Sequence, residues 1–571
     1  MPRLLTCLVF ALFLTAAAAA QTPSRPFTAP PPVHAVTSRD GMVVAQEARA
    51  ARIGADVLKH GGNAVDAAVA VGFAMAVTYP RAGNLGGGGF MVIHLAKGNQ
   101  DVAIDYRETA PAAATREMFL NERGNPDPEK SRFSALGIGV PGTVAGLALA
   151  LKQYGSGTMS LADLMQPAID LARNGIPVED DTADSLPAAR ERLARWPASA
   201  KIFLKNGKPL APGSQLIQSD LADTLQAIAN NGPRAFYEGP VADRIAGAVH
   251  AAGGIMTASD LKSFHAVLRV PVRGTYRGYD IVSMPPPSSG GVHLIEMLNI
   301  LEGYDLAKLG RSEQSYHYMI EAMKRAYADR AEFMGDPEAV RMPLKGLLSK
   351  KYAASLRANI GEKATPAASI RAGNPQNFEG PNTTHFSVID RDGNAVSNTY
   401  TLNFSYGLGL VAEGTGVLLN NELDDFTAKA GASNAYGLVG FDANLPGPRK
   451  RPLSSMTPTI VLKDGKPFLV TGSPGGSRII TAVLQVIVNA IDFHMGVADA
   501  VGAPRLHHQW QPDEVLMEPG FAPEVVDGLK ARGHKITIVA PGTSANSIEV
   551  TPEGYVGAAD TRTRGALAIG Y

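Results

Sequence analysis

The sequence predicts an α+β fold, and three observations carry that expectation. The stretch from about residue 140 to 360 is mostly helical in pattern, as in Ser315 to Phe333. The sequence after residue 383 turns to alternating strands joined by Asp-Gly turns. Between them, residues 363–381 are polar, small and contain Pro and Gly, the composition of a loop or loosely held segment. Helices and strands grouped in separate stretches belong to an α+β architecture.

The elements follow in order. Residues 22–32 read as a stiff, exposed linker. Met42 to Tyr79 predicts a strand and two helices; Gly61 and Gly62 end the first helix, and Asn63 caps the second with Asp66 in its first turn. Residues 83–95 predict a Gly-rich turn entering a strand. This run lacks the Lys-Ser/Thr ending of a phosphate loop, so it reads as close backbone packing. After the polar segment, Thr384 to Asp390 alternates as a strand, Asp392-Gly393 turns, and Asn394 to Thr401 returns. A second hairpin runs from Thr459 to Lys463, turns at Asp464-Gly465, and returns from Pro467 to Gly472. It leads through Ser473-Pro474-Gly475-Gly476 into an apolar helix starting near Ser477.

Bulk properties narrow the function. At 571 residues the chain is several domains or one large composite one, and 45% hydrophobic with 19% charged residues suits a globular core. Lys+Arg and Asp+Glu both number 53, so nothing in the charge balance attracts nucleic acid. Arg3, the apolar run Leu4 to Leu14 and the small residues Ala16 to Ala20 predict a signal peptide over 1–20, and a bacterial periplasm as destination. No later segment is apolar for long enough to span a membrane. The single cysteine, Cys7, lies inside that signal, so the mature chain has no thiol. Covalent chemistry then falls to Ser, Thr, Lys or a carboxylate. No metal or other cofactor is required; His507-His508 lacks a partner motif that would make a metal site.

Four groups of residues can carry chemistry. In Asn382-Thr383-Thr384-His385, a hydroxyl at the start of a strand follows the loosely held segment. Such a hydroxyl can attack the preceding carbonyl, and hydrolysis of the ester leaves an amine that serves as general base on the same residue. Thr-Thr is also ordinary strand composition, and His385 suits a base or a structural histidine equally. Thr401 ends the returning strand near that start, where it can orient Thr383 or simply pair across strands. Gly475 and Gly476 sit at a strand-to-helix turn, where backbone N–H groups can hold an oxyanion, or where glycine merely supplies turn freedom. Arg107 can grip a carboxylate, Ser454 and Ser455 offer short donors, and Glu422 and Asp425 can bind an ammonium group; each alone is equally an ion pair or cap.

The order and spacing of NTTHFSVIDRDGNAVSNTYTLN, NNELDDF, RPLSSMTPTIV and TGSPGGSRI resemble the gamma-glutamyltransferases (gamma-glutamyltranspeptidases). The likeness runs from about Arg39 to Tyr571 and includes GGNAVDAAVA, NLGGGGFM, DYRETAP and PRLHHQW. It implies a four-layer αββα sandwich of the N-terminal nucleophile hydrolase type, built from two autoproteolytic subunits. These would be a large subunit, 21–382, and a small catalytic one, 383–571, held together as a heterodimer. It implies Thr383 as nucleophile, Thr401 as its hydroxyl partner, and Gly475 and Gly476 as oxyanion hole. It implies Arg107, Ser454 and Ser455 at the α-carboxylate of the donor, and Asn403, Glu422 and Asp425 at its α-amino group. Tyr436, in 430–448, resembles a lid residue of some bacterial members. Where some relatives carry Gln, this chain has Glu422, a second carboxylate beside Asp425. The implied substrates are glutathione and other gamma-glutamyl compounds, with water, amino acids or peptides as acceptors. A glutaryl or beta-lactam acylase is the neighbouring alternative, and a non-catalytic periplasmic amino-acid or peptide binding protein a more distant one.

Overall fold

The computed structural model describes residues 27–371 and 383–571. The expected signal peptide with Cys7, the first part of the linker, and Asn382 with the ten residues before it lie outside the described residues.

Two seven-stranded sheets form the centre. The first runs, in spatial order, Leu567–Gly570, Gly41–Ala45, Thr384–Asp390, Ala395–Thr401, Gly88–Leu95, Gln100–Asp105 and Val267–Arg269. The second runs Ala35–Ser38, Gly554–Ala558, Ser547–Thr551, Lys466–Thr471, Thr459–Lys463, Tyr279–Ser283 and Val272–Tyr276. Every pairing within both sheets is antiparallel.

Period-two alternation sorts the strand residues into layers. In the first sheet Met42, Val44, Phe90 and Val92 point toward the second sheet and meet Val282, Ile460, Leu462 and Val470. The intervening Val43, Ala45, Met91 and Ile93 point the other way and pack on helices Ala64–Thr78, Thr143–Tyr154 and Leu161–Asn174. In the second sheet Ile281, Val461 and Leu469 turn outward onto helices Gly290–Leu301, Glu313–Phe333 and Ile479–Ile491. Because both faces of both sheets are covered, the strands are buried and apolar on both sides, and the layers stack α, β, β, α. Helix Ala64–Thr78 is buried on every side, which its composition allows: almost every residue is Ala, Val, Gly, Phe or Met.

The expected local signals sit where the sequence puts them. Asn63 caps Ala64–Thr78 reciprocally with Asp66. Asp464 and Gly465 both adopt positive φ, the backbone of a two-residue hairpin turn. The apolar helix after Gly475 starts at Ile479, two residues later than its sequence suggests, because a 3-10 turn over Gly476–Arg478 intervenes. Among the described residues no helix is long and apolar enough to cross a membrane.

Candidate active site

Strand Thr384–Asp390 is central in the first sheet, and Thr383 stands at its head, 8% exposed. Its partner strand pairs Thr384 with Tyr400. Extending that register by one residue sets Thr383 opposite Thr401, the last residue of the returning strand. The Thr401 hydroxyl accepts a hydrogen bond from Asn403 N–H at 2.9 Å, and Asn403 itself turns the chain at a φ of 70°. Behind this corner lies the Gly-rich run. A Cβ on Gly87 would fall 2.0 Å from the Thr401 carbonyl oxygen, so only glycine lets this backbone approach. The Asn84 side chain bonds the same carbonyl at 2.9 Å.

One cavity opens at this point, lined by Thr383, Thr401, Asn403, Arg107, Glu422, Asp425, Tyr436, Ser454, Ser455 and Gly476. Residues far apart in sequence are thus gathered around one small space. Of the residues that the resemblance assigns to the site, Gly475 alone is not in the lining; it adjoins Gly476. It holds a φ of 135°, and a Cβ there would meet the Thr543 methyl at 2.7 Å. The turn is held from outside as well, since the Ser473 hydroxyl accepts from Ser544 N–H and the Tyr327 hydroxyl donates to the Ser477 carbonyl.

The far end of the cavity is ionic. Arg107 is fully buried. Its Nη1 donates to Glu422 and its Nη2 to Asp425, while Nε donates to the Pro452 carbonyl at 3.1 Å. The residues expected to take the two charged groups of a ligand therefore hold one another. Both carboxyls lie above the ordinary range, because burial outweighs the nearby guanidinium. Asn420 fixes the turn that carries them. It accepts from Gly139 N–H and Glu422 N–H and donates to the Gly86 and Gly139 carbonyls. Next to the turn, Asn434 donates to Asp425 at 3.0 Å, and the Tyr436 hydroxyl rests on Asn403.

Ser454 and Ser455 close the other wall. Beside them the structure adds two residues that motif reasoning passed over. Glu108 is fully buried 3.8 Å from Arg107, and among the described residues neither of its oxygens finds a hydrogen-bond donor; burial lifts its carboxyl to about 8. Its adjacency to Arg107 was the only available signal. Arg330 reaches Ser455 from helix Glu313–Phe333. Nothing in the helical pattern marked it, because a charge in a long helix ordinarily lies on a solvated face.

His385 does not reach the cavity lining. Its Nδ1 meets Thr399 at 2.9 Å and its Nε2 meets Ser387 at 3.0 Å, and burial pushes its pKa down to about 3. Of the two roles left open by the sequence, this geometry is the structural one. A second histidine cluster, His317, His534 and Glu321, brings potential ligand atoms within 4.8 Å of one another. Glu321 is already engaged by Lys324, Arg325 and Thr365 N–H, and the two imidazoles hydrogen-bond at 2.8 Å. Those atoms are thus bonded into a buried polar network.

The family model for gamma-glutamyltranspeptidase matches residues 50–570. The glutathione hydrolase proenzyme of Escherichia coli K12 is 53% identical over 542 residues, covering 94% of this chain and 93% of that protein. Among solved structures, the cephalosporin acylase of Bacillus halodurans superposes with a TM-score of 0.82 at 27% identity, over 97% of this chain and 99% of its own. The gamma-glutamyltranspeptidase of Helicobacter pylori matches with a TM-score of 0.56 at 47% identity, over 57% of this chain and 93% of that one. With a family match over nearly the whole chain, and a cavity that gathers a strand-head threonine, a Gly-Gly turn and an Arg-carboxylate cluster, the chain belongs to the gamma-glutamyltranspeptidase family.

Proposed function

We propose that the chain is a precursor that cuts itself before Thr383, and that the mature enzyme cleaves the gamma-glutamyl amide of glutathione and related compounds. The E. coli relative is a glutathione hydrolase proenzyme, and the same activity is assigned here. The observation that carries the reading is the single cavity joining Thr383 to Arg107, Glu422, Asp425 and the two serines.

Self-cleavage gives Thr383 a free amine beside its own hydroxyl. The amine takes the hydroxyl proton as the oxygen attacks the gamma-carbonyl. The Gly475 and Gly476 N–H groups face the developing oxyanion, and Thr401 orients the nucleophile. Collapse passes the proton to the departing amine and leaves a gamma-glutamyl ester on Thr383. Water, an amino acid or a peptide then releases it by the same path in reverse.

Donor recognition is an exchange of ion pairs. Arg107 holds Glu422 and Asp425. An α-amino acid brings one charge of each sign. Its carboxylate takes the place of the protein's on Arg107, assisted by Ser454 and Ser455. Its ammonium replaces the guanidinium at Glu422, Asp425 and Asn403. A glutaryl donor supplies only the carboxylate and strands two buried carboxylates without a counter-charge, a loss of roughly 3–5 kcal/mol for a broken buried pair.

That exchange separates the proposal from its neighbour, an acylase acting on glutaryl or beta-lactam side-chain amides, which the likeness to a cephalosporin acylase favours. Matched gamma-glutamyl and glutaryl anilides test it. The gamma-glutamyl donor is expected to be preferred by about a hundredfold or more in kcat/KM. Equal or better turnover of the glutaryl anilide would make the acylase the correct assignment. Binding of glutathione by an uncut chain without turnover would favour a binding protein instead. On the same reading the signal over 1–20 is removed on export to the periplasm, and the two parts remain a heterodimer.

A further inference from the structure

We propose that Arg330 is a positioning residue for the carboxylate end of the donor site, setting Ser455 as a hydrogen-bond donor toward the ligand and, through Ser289, holding the Ser454 backbone beside it. The inference rests on the donor site proposed above and adds a residue to it.

Arg330 lies near the end of helix Glu313–Phe333 and is buried, 3% exposed. Its fork reaches Ser455 and Ser289. Nη2 donates to Ser455 Oγ at 3.1 Å, and Nε donates to Ser289 Oγ at 2.8 Å. Ser289 Oγ–H donates in turn to the Ser454 carbonyl at 2.7 Å, and Ser289 N–H donates to the same oxygen at 2.9 Å. One guanidinium thus ties the Ser454-Ser455 segment to the Ser288-Ser289 turn that precedes helix Gly290–Leu301.

The direction of these bonds carries the argument. A hydroxyl has one proton and two lone pairs, and a guanidinium can only donate. Arg330 therefore occupies a lone pair of Ser455 Oγ and leaves its proton for another acceptor. Ser454 Oγ is in the same condition, since it accepts from Met456 N–H at 3.1 Å. Both serines line the cavity. Two hydroxyls that each already accept a hydrogen bond and keep their own hydrogen to donate have the polarity that a carboxylate needs. Charge adds to this. Among the described residues no carboxylate lies within ion-pair distance of Arg330, whereas Arg107 holds two. A buried guanidinium with no carboxylate in direct contact favours an anion at Ser455, the cavity-lining serine it touches.

The test uses mature enzyme of the full chain with Arg330→Met and Arg330→Lys, and two donors: a gamma-glutamyl anilide and the 4-aminobutyryl anilide, which keeps the amine but lacks the α-carboxylate. For Arg330→Met the gamma-glutamyl KM is expected to rise about ten- to a hundredfold with a much smaller change in kcat. Loss on the 4-aminobutyryl donor is expected to be at most a few-fold, so the preference between donors narrows. Arg330→Lys, which keeps the charge but not the fork, is expected to fall between wild type and Met. Equal losses on both donors, an unchanged gamma-glutamyl KM, or a Lys variant that neither folds nor matures would each overturn the proposal and leave Arg330 a core residue. A wild-type enzyme that does not prefer the gamma-glutamyl donor over the 4-aminobutyryl one would instead remove the donor-site reading on which it rests.

Discussion

Arg107, Glu422 and Asp425 form a closed ionic set, and that closure makes the charge pattern of a ligand matter. Replacing Asp425 by Ala removes one of the two carboxylates that a donor ammonium would meet. The gamma-glutamyl KM is expected to rise about ten- to a hundredfold, since a hydrogen bond to a charged group is lost. The glutaryl anilide should be affected far less, and steady-state kinetics on both donors checks the difference. Unchanged kinetics would take Asp425 out of the site. At this scale the sequence was readable wherever a motif kept its residues in a recognisable order, as with Thr383, Thr401 and Ser454-Ser455. It was silent wherever a side chain arrives from a distant helix. Arg330 belongs to that second kind, and so does Glu108 in its consequence: its neighbour Arg107 was legible, but the burial that leaves both Glu108 oxygens without donors was not.

Among elements, hairpin turns and capped helices were the most legible because their signals are local: Asn63 with Asp66, Asp392-Gly393, and Asp464-Gly465. Sheet order was not, since strands from opposite ends of the chain, such as Gly41–Ala45 and Leu567–Gly570, pair by packing rather than by proximity. The outer helices of the second sheet carry a feature with no counterpart in motif reasoning. Glu296 of helix Gly290–Leu301 and Asp329 of helix Glu313–Phe333 are buried together. His293 contacts Glu296 at 2.6 Å, and the Tyr352 hydroxyl donates to Asp329 at 2.6 Å. Burial lifts Glu296 to about 8, and burial with the neighbouring Glu296 lifts Asp329 to about 9. Both folded values are raised, so the folded state binds more protons than the unfolded chain. Their contribution to stability is fully present below the unfolded values near 4 and is lost as pH rises through 8 to 9. The thermal midpoint is expected to fall across that window, and to fall less in Glu296→Gln, which keeps the shape without the titration. Equal pH slopes in the two proteins, measured by calorimetry, would contradict this.

The whole molecule explains why a cut before Thr383 need not take it apart. In the first sheet the strand Thr384–Asp390 is flanked by Gly41–Ala45 on one side and Ala395–Thr401 on the other, with Leu567–Gly570 beyond Gly41–Ala45. The second sheet likewise mixes Ala35–Ser38, Val272–Tyr276 and Tyr279–Ser283 with four strands that follow Thr383 in the sequence. Two products interleaved in both sheets share one core and should elute together under native conditions. The αββα layering followed from resemblance, not from composition, because alternation identifies strands but not which sheet each one joins. The most direct measurement is the denatured mass and N-terminal sequence of the purified protein, with Thr383→Ala in parallel. The account predicts two fragments from wild type, the smaller beginning Thr383-Thr384-His385, and one uncut, inactive chain from Thr383→Ala. A single intact chain from active wild-type protein, or normal cleavage in Thr383→Ala, would contradict it.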